Sequence, residues 1–174
     1  MRSINATFVL LLVMMTSVQS QQIAGTSDEK EHYLDNICYN ITFNASGNPV
    51  YEFRKDIAYN EYPTKWTLSK ACLDPSGMNG VGIIEAENES FNVSQLNLSL
   101  DVMISLTSQG GLLRSVKDIM IDNRSGKVAT AYLSGLGTVC LAEVPLNEKQ
   151  LLLVTAMTDV FGPLVKSIRI EESS

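Results

Sequence analysis

The chain is 174 residues long, 45% of them hydrophobic and 18% charged, with 13 lysines and arginines against 19 acids. That length holds one domain and little more. A net charge of −6 supplies no clustered positive surface, which argues against nucleic acid or an anionic membrane as partner.

Residues 1–20 read as separate from the rest. Arg2 precedes an apolar run at 8–18, FVLLLVMMTSV, and Val18-Gln19-Ser20 places small residues at cleavage spacing. An apolar core of about 11 residues falls short of the roughly 20 that cross a bilayer, so a cleaved signal peptide is expected and no stable membrane insertion. Its removal takes away Arg2 and no acid, leaving 12 basic against 19 acidic residues and a net charge of −7. The mature protein is predicted to be secreted and extracellular. Six N-x-[ST] sequons behind the signal, at Asn40, Asn44, Asn88, Asn92, Asn97 and Asn123, support export and N-glycosylation.

Residues 21–36, QQIAGTSDEKEHYLDN, are polar and acidic and suggest a loose N-terminal arm, or a short helix from near Ser27. The only histidine, His32, lies here, exposed and without partners at ligand spacing. A strand is predicted over 37–44 (ICYNITFN) and a return strand over 50–54, joined by the turn Ser46-Gly47-Asn48-Pro49. Trp66 opens a short strand to residue 69 and is expected to anchor the core. Asp74-Pro75-Ser76-Gly77 signals a type I turn, and 81–86 is another apolar strand. Leu96, Leu98, Leu100, Val102, Ile104 and Leu106 occupy every second position. Period two predicts a strand with one buried and one wet face, Asn97 on the wet one. A bulge at Ser94-Gln95 would bring Phe91 and Val93 into the same register.

Residues 116–146 organise the chain as three strands. Asn123-Arg124-Ser125-Gly126 is the first turn, with φ > 0 expected at Gly126. Gly135-Leu136-Gly137 is the second turn, Cys140 centres the third strand, and Pro145 stops it. The pattern then turns helical. Asn147 is a fair N-cap, Glu148 suits the helix dipole, and Leu151, Val154, Met157 and Phe161 stack on one face until Gly162-Pro163. Residues 164–170 fit a last strand or a helical turn. The fold class is α+β: a mainly antiparallel meander with one or two packed helices near the C-terminus, in a single β-rich domain over 37–174.

The residues Ile121-Asp122, Asn123, Lys127, Ala131-Tyr132-Leu133, Cys140 and Pro145-Leu146-Asn147, with the alternating run before them, resemble a BRICHOS domain over residues 96–162. The resemblance implies an antiparallel sheet flanked by helices that captures an aggregation-prone polypeptide, as strand addition allows. It also implies that Asp122 matches the family's acidic residue, linked there to pH-dependent behaviour. Read from its own neighbours, Asp122 is a turn acid accepting from the amides of Arg124 or Ser125. The family's second cysteine, bridged there to the match of Cys140, has no counterpart up to Ser174.

Cys38, Cys72 and Cys140 form an odd set for an oxidising compartment. One disulfide can form, and the remaining thiol is buried or joins two chains as a covalent homodimer; spacing does not choose the pair. No nucleophile–base–acid set, cofactor motif or phosphate loop is present; Gly110-Gly111 and Gly135-Leu136-Gly137 lack the helix and lysine such loops need. The expectation is a non-enzymatic, secreted glycoprotein with a chaperone-type binding role toward an extended polypeptide client. The alternatives are a β-barrel or sandwich carrier of a small apolar ligand, and a non-catalytic extracellular structural glycoprotein.

Overall fold

The protein, described by a computed structural model over residues 29–173, begins with β1 (Glu29–Asp35), β2 (Tyr39–Ser46), β3 (Val50–Ala58), β4 (Lys65–Cys72) and β5 (Gly80–Ala86). After a 3₁₀ turn at Val93–Gln95 come α1 (Leu98–Thr107), β6 (Gly111–Ile121), β7 (Arg124–Leu133), β8 (Gly137–Pro145), β9 (Gln150–Met157), α2 (Thr158–Ser167) and β10 (Arg169–Glu172). The signal segment at 1–20 and the arm up to residue 28 lie outside the described residues.

All strand pairs are antiparallel. Seven strands form one sheet in the order β3-β4-β5-β9-β8-β7-β6, and three form a second, β1-β2-β10. The hairpin expected across residues 46–49 does not form, because β2 pairs with β1 and β10 while the chain crosses to the other sheet and β3 pairs with β4. Successive side chains point to opposite faces of a strand, and both faces of the large sheet are covered. On one face Val81, Ile83, Ala142, Val144, Leu152 and Val154 meet the small sheet (Tyr39, Ile41, Phe43) and α2 (Phe161, Leu164). On the other, Trp66, Leu68, Ile84 and Leu151 pack with Tyr59, Phe91 and Val93. There too Ala129, Ala131 and Leu141 receive Val102 and Leu106 of α1. The fold class is the expected one: mostly antiparallel sheet with two helices, one of them near the C-terminus.

The meander over 116–146 forms as three hairpin-linked strands, but its first turn falls elsewhere. The two loop residues are Asp122 and Asn123, at φ 46° and 65°, as a type I′ hairpin demands. Gly126 is instead inside β7, where a Cβ would stand 2.2 Å from the Glu143 carbonyl oxygen. The glycine is there for close backbone approach.

Three segments change type. Residues 96–106 are not a strand: Asn97 caps α1 by accepting from the Leu100 amide at 3.3 Å, and the buried Val102 and Leu106 are four apart. Leu98, Val102 and Leu106 satisfy a period of two and a helical face together, while Leu100 is left exposed. The expected bulge at Ser94-Gln95 is the 3₁₀ turn. The helix expected from Asn147 is strand β9 as far as Met157. β9 lies mid-sheet between β5 and β8 and is covered on both faces, so its run QLLLVTAM is apolar without alternation. α2 then continues through Gly162-Pro163 instead of ending there. The arm, finally, ends in a strand: β1 pairs with β2 from Glu29↔Ser46 to Asp35↔Asn40. As an edge strand with one wet face and a single fully buried apolar residue, Leu34, it shows too little periodicity to be legible. The seven-stranded sheet is open, with β3 and β6 as its outer strands, which corrects the barrel alternative.

Candidate functional site

Strand order makes β3 an outer strand, laddered among the described residues to β4 alone. Its first half carries Val50, Tyr51 and Phe53 at 63%, 53% and 61% exposure. Exposed edges are normally blunted by bulges and charge, and the second half of β3 is. Register slips between Arg54 and Ile57, Asp56 takes φ 55°, and Asp56 pairs with Lys65 at 2.6 Å. The segment from Val50 to Phe53 has no bulge, and its one charge, Glu52, is paired with Arg54 at 2.8 Å. Tyr33 of β1 and Ile37 of the turn that follows it add exposed apolar surface.

Beside Phe53 and Ile37 runs an open groove of about 640 Å³ over Ser69 and Ile83, rimmed by Asp35, Glu85, Glu87 and Glu89. Its two lysines are engaged. Lys149 donates to the carbonyls of Asn88 (3.1 Å) and Phe91 (2.8 Å), and Lys55 lies 5.7 Å over the Phe53 ring. The groove therefore presents aromatic and aliphatic surface under an acidic rim.

A buried polar cluster lies on the opposite face of the sheet, beneath α1. Lys70, Gly82, Leu153 and Glu143 occupy one register row across β4, β5, β9 and β8. Glycines make room for the lysine stem: a Cβ on Gly80 would stand 2.7 Å from Lys70 Cε. Glu143 Oε1 accepts from the Tyr59 hydroxyl. Burial drives the Glu143 carboxyl up to about 8, against the opposing Tyr59 hydrogen bond and with a smaller push from Asp101. Burial, then Glu143, raises the Tyr59 hydroxyl well above its ordinary range. Asp101 accepts from Asn60 Nδ2 at 3.0 Å and Tyr62 at 3.1 Å; burial raises its carboxyl despite both bonds. Burial lowers the Lys70 ammonium. Of these groups, Glu143 is the one brought to gain or lose its proton near neutral pH.

The sequence-predicted residues do not gather at either place. Asp122 Oδ2 accepts from the Ile170 amide at 2.6 Å, so it ties the β6–β7 turn to β10 rather than to Arg124 or Ser125. His32 is half-buried on β1, 6.0 Å from the Phe43 ring, not on an exposed arm. Asn44, Asn88, Asn97 and Asn123 are exposed, and Asn40 and Asn92 half-buried. Asn88 Oδ1 accepts from Ser90, the hydroxyl of its own sequon, at 2.7 Å, and Asn92 caps the 3₁₀ turn.

All three cysteines are free. Cys72 lines up through Gly80 and Thr155 with Leu141, so its neighbour Cys140 points to the other face and the two cannot bridge across an intact sheet. Cys38 is exposed while Cys72 and Cys140 are buried. Native alkylation should therefore label Cys38 first, and any covalent dimer on a non-reducing gel should vanish in Cys38→Ser. A dimer that persists would place the exchangeable thiol elsewhere.

Among the described residues, no group of three or more His, Cys, Asp or Glu stands close enough to hold a metal, and no helix is long and apolar enough to cross a membrane. Lys70 and Glu143 were the residues missed by sequence reasoning. Their signal was a lone charge inside an apolar run, in LSKACL and CLAEVPL. Neither a family model nor any curated protein matches this chain.

Proposed function

We propose that this protein is a secreted, N-glycosylated, non-enzymatic binding protein that captures an extended, aggregation-prone polypeptide, the BRICHOS-like role that the sequence resemblance implies. The observation that carries the reading is the regular, mostly apolar edge at Val50–Phe53, where an extended segment can continue the ladder while its side chains rest on exposed aromatics. The acidic rim of the groove favours clients with basic residues beside the apolar ones. The exposed Cys38, at the same end of the small sheet as Ile37, can join two such proteins into a covalent homodimer.

A carrier of a small apolar ligand draws less support. The space under α1 includes Lys70 and Glu143 in its walls, and an apolar occupant would offer neither a polar partner.

The test is fibril formation by an unrelated amyloidogenic peptide. The protein at substoichiometric ratio should lengthen the lag. Tyr51→Lys/Phe53→Lys, both on the surface and harmless to folding, should shorten that delay several-fold. An unchanged lag at equimolar protein, or equal delay by the double variant, would remove the edge as the capture site.

A further inference from the structure

Lys70 and Glu143 raise a second question, independent of the sheet edge. A cavity of about 60 Å³ lies between α1 and the large sheet, with Lys70 and Glu143 in its wall, apolar sides from Leu106, Leu141 and Leu153, and the exposed Ser108 and Gln109 at its mouth. Glu143 is 0% exposed and Lys70 is 5% exposed. Glu143 Oε2 has no hydrogen-bond partner among the described residues. Lys70 Nζ donates to a neutral acceptor, the Gly77 carbonyl, at 2.8 Å. Among the described residues no carboxylate is within ion-pair distance of Lys70, and no lysine or arginine within that distance of Glu143. The ladder neighbour of Lys70, Glu52, is paired with Arg54 at 2.8 Å.

A buried cation and a buried carboxyl thus share one cavity without touching. Among the described residues Lys70 lacks a counter-charge and the Glu143 carboxyl keeps one oxygen without a partner, with two strands between them in the row. We propose that this cavity is a binding site for a small amino carboxylate, its carboxylate on Lys70 Nζ and its ammonium on Glu143 Oε2. One ligand charge of each sign satisfies both walls at once. Size sets the class: about 10–15 Å³ holds one water, so this space suits a molecule of roughly five to seven heavy atoms. Tyr59, already donating to Oε1, fixes the carboxyl in the cavity wall.

Glycine, β-alanine and 4-aminobutyrate serve as probes in titration calorimetry on the full mature protein, with propylamine and acetate as one-charge controls. At least one amino carboxylate should saturate, and bind about tenfold or more tighter than both controls, the usual worth of one buried charge-assisted bond. Glu143 carries its proton in the empty site near pH 7. Receiving an ammonium should expel that proton, so the heat should depend on the buffer's ionisation enthalpy. Glu143→Gln and Lys70→Met should each weaken binding by about tenfold to a hundredfold. Ser108→Trp, on the exposed end of α1, alters no core residue and should block the mouth. Equal affinity for propylamine or acetate, binding unaffected by Ser108→Trp, or no saturation by any amino carboxylate at about 10 mM would each overturn the proposal.

Discussion

Between pH 5 and pH 8 the thermal midpoint of this protein should fall, and Glu143→Gln should remove most of the fall. Burial lifts the folded carboxyl to about 8 from an ordinary value of 4.5. The native state therefore keeps a proton that the unfolded chain has already released. A folded pKa above the unfolded one means that the contribution is fully present below 4.5 and is lost as pH climbs to about 8. The slope is on the order of 1 kcal/mol per pH unit, which at this chain length moves the midpoint by about 2–4 °C per unit.

Two neighbours must be separated from this effect. Asp101, also raised by burial, acts in the same direction but starts from 3.8, so it matters at the acid end. Lys70, lowered by burial, acts in the opposite direction, adding stability as pH rises in the range below 10.5. Glutamine keeps the shape of the protonated acid and cannot ionise, so the difference between the two melting curves isolates Glu143. Parallel curves would show that Glu143 is not buried in its neutral form.

Trp66→Ala should be the most damaging single core substitution. Trp66 is fully buried and meets Tyr59 and Phe91 edge-on, with ring centroids 5.4 Å and 5.1 Å away. Truncating such a residue costs about 3–5 kcal/mol, because the lost transfer energy is joined by a cavity and by two aromatic contacts. That is a large share of the 5–15 kcal/mol typical of a domain. Trp66→Phe should cost much less. The indole Nε1 has no acceptor among the described residues, so phenylalanine gives up volume but no hydrogen bond. Urea unfolding followed by circular dichroism tests both. A loss under about 1 kcal/mol for alanine would mean that the cluster around Trp66 collapses freely or is already loose.

Sequence alone conveyed the elements whose cues are local. Strands β7 and β8 are bounded by turn residues at their own ends, and Pro145 stops β8 where its missing amide requires. Trp66 as a core anchor follows from its type. The reading failed where distant partners decide. Leu98, Val102 and Leu106 fit two periods, and only the sheet face beneath them selects the helix. QLLLVTAM becomes a strand because β5 and β8 stand on either side of it. The site suffered in the same way. Phe53 was visible as part of a strand, but that strand pairs with β4 instead of returning on β2, and its exposure depends on β3 ending the strand order. Lys70 and Glu143 lie 73 positions apart, and four strands must align before they share a row.

The β5–β9 ladder has a kinetic consequence. It joins Gly80 with Thr155 and Glu85 with Gln150, and it is the one link between the β3–β5 half of the sheet and the β9–β6 half. Each half can zip through near neighbours, but closing their seam needs a loop of more than sixty residues, whose entropy must be lost before any contact rewards it. The seam should therefore form last and set the folding rate. Since β9 is made late, a nascent chain would hold the apolar side of β5 uncovered through most of its synthesis. Its folding demand falls on the compartment where the chain is completed.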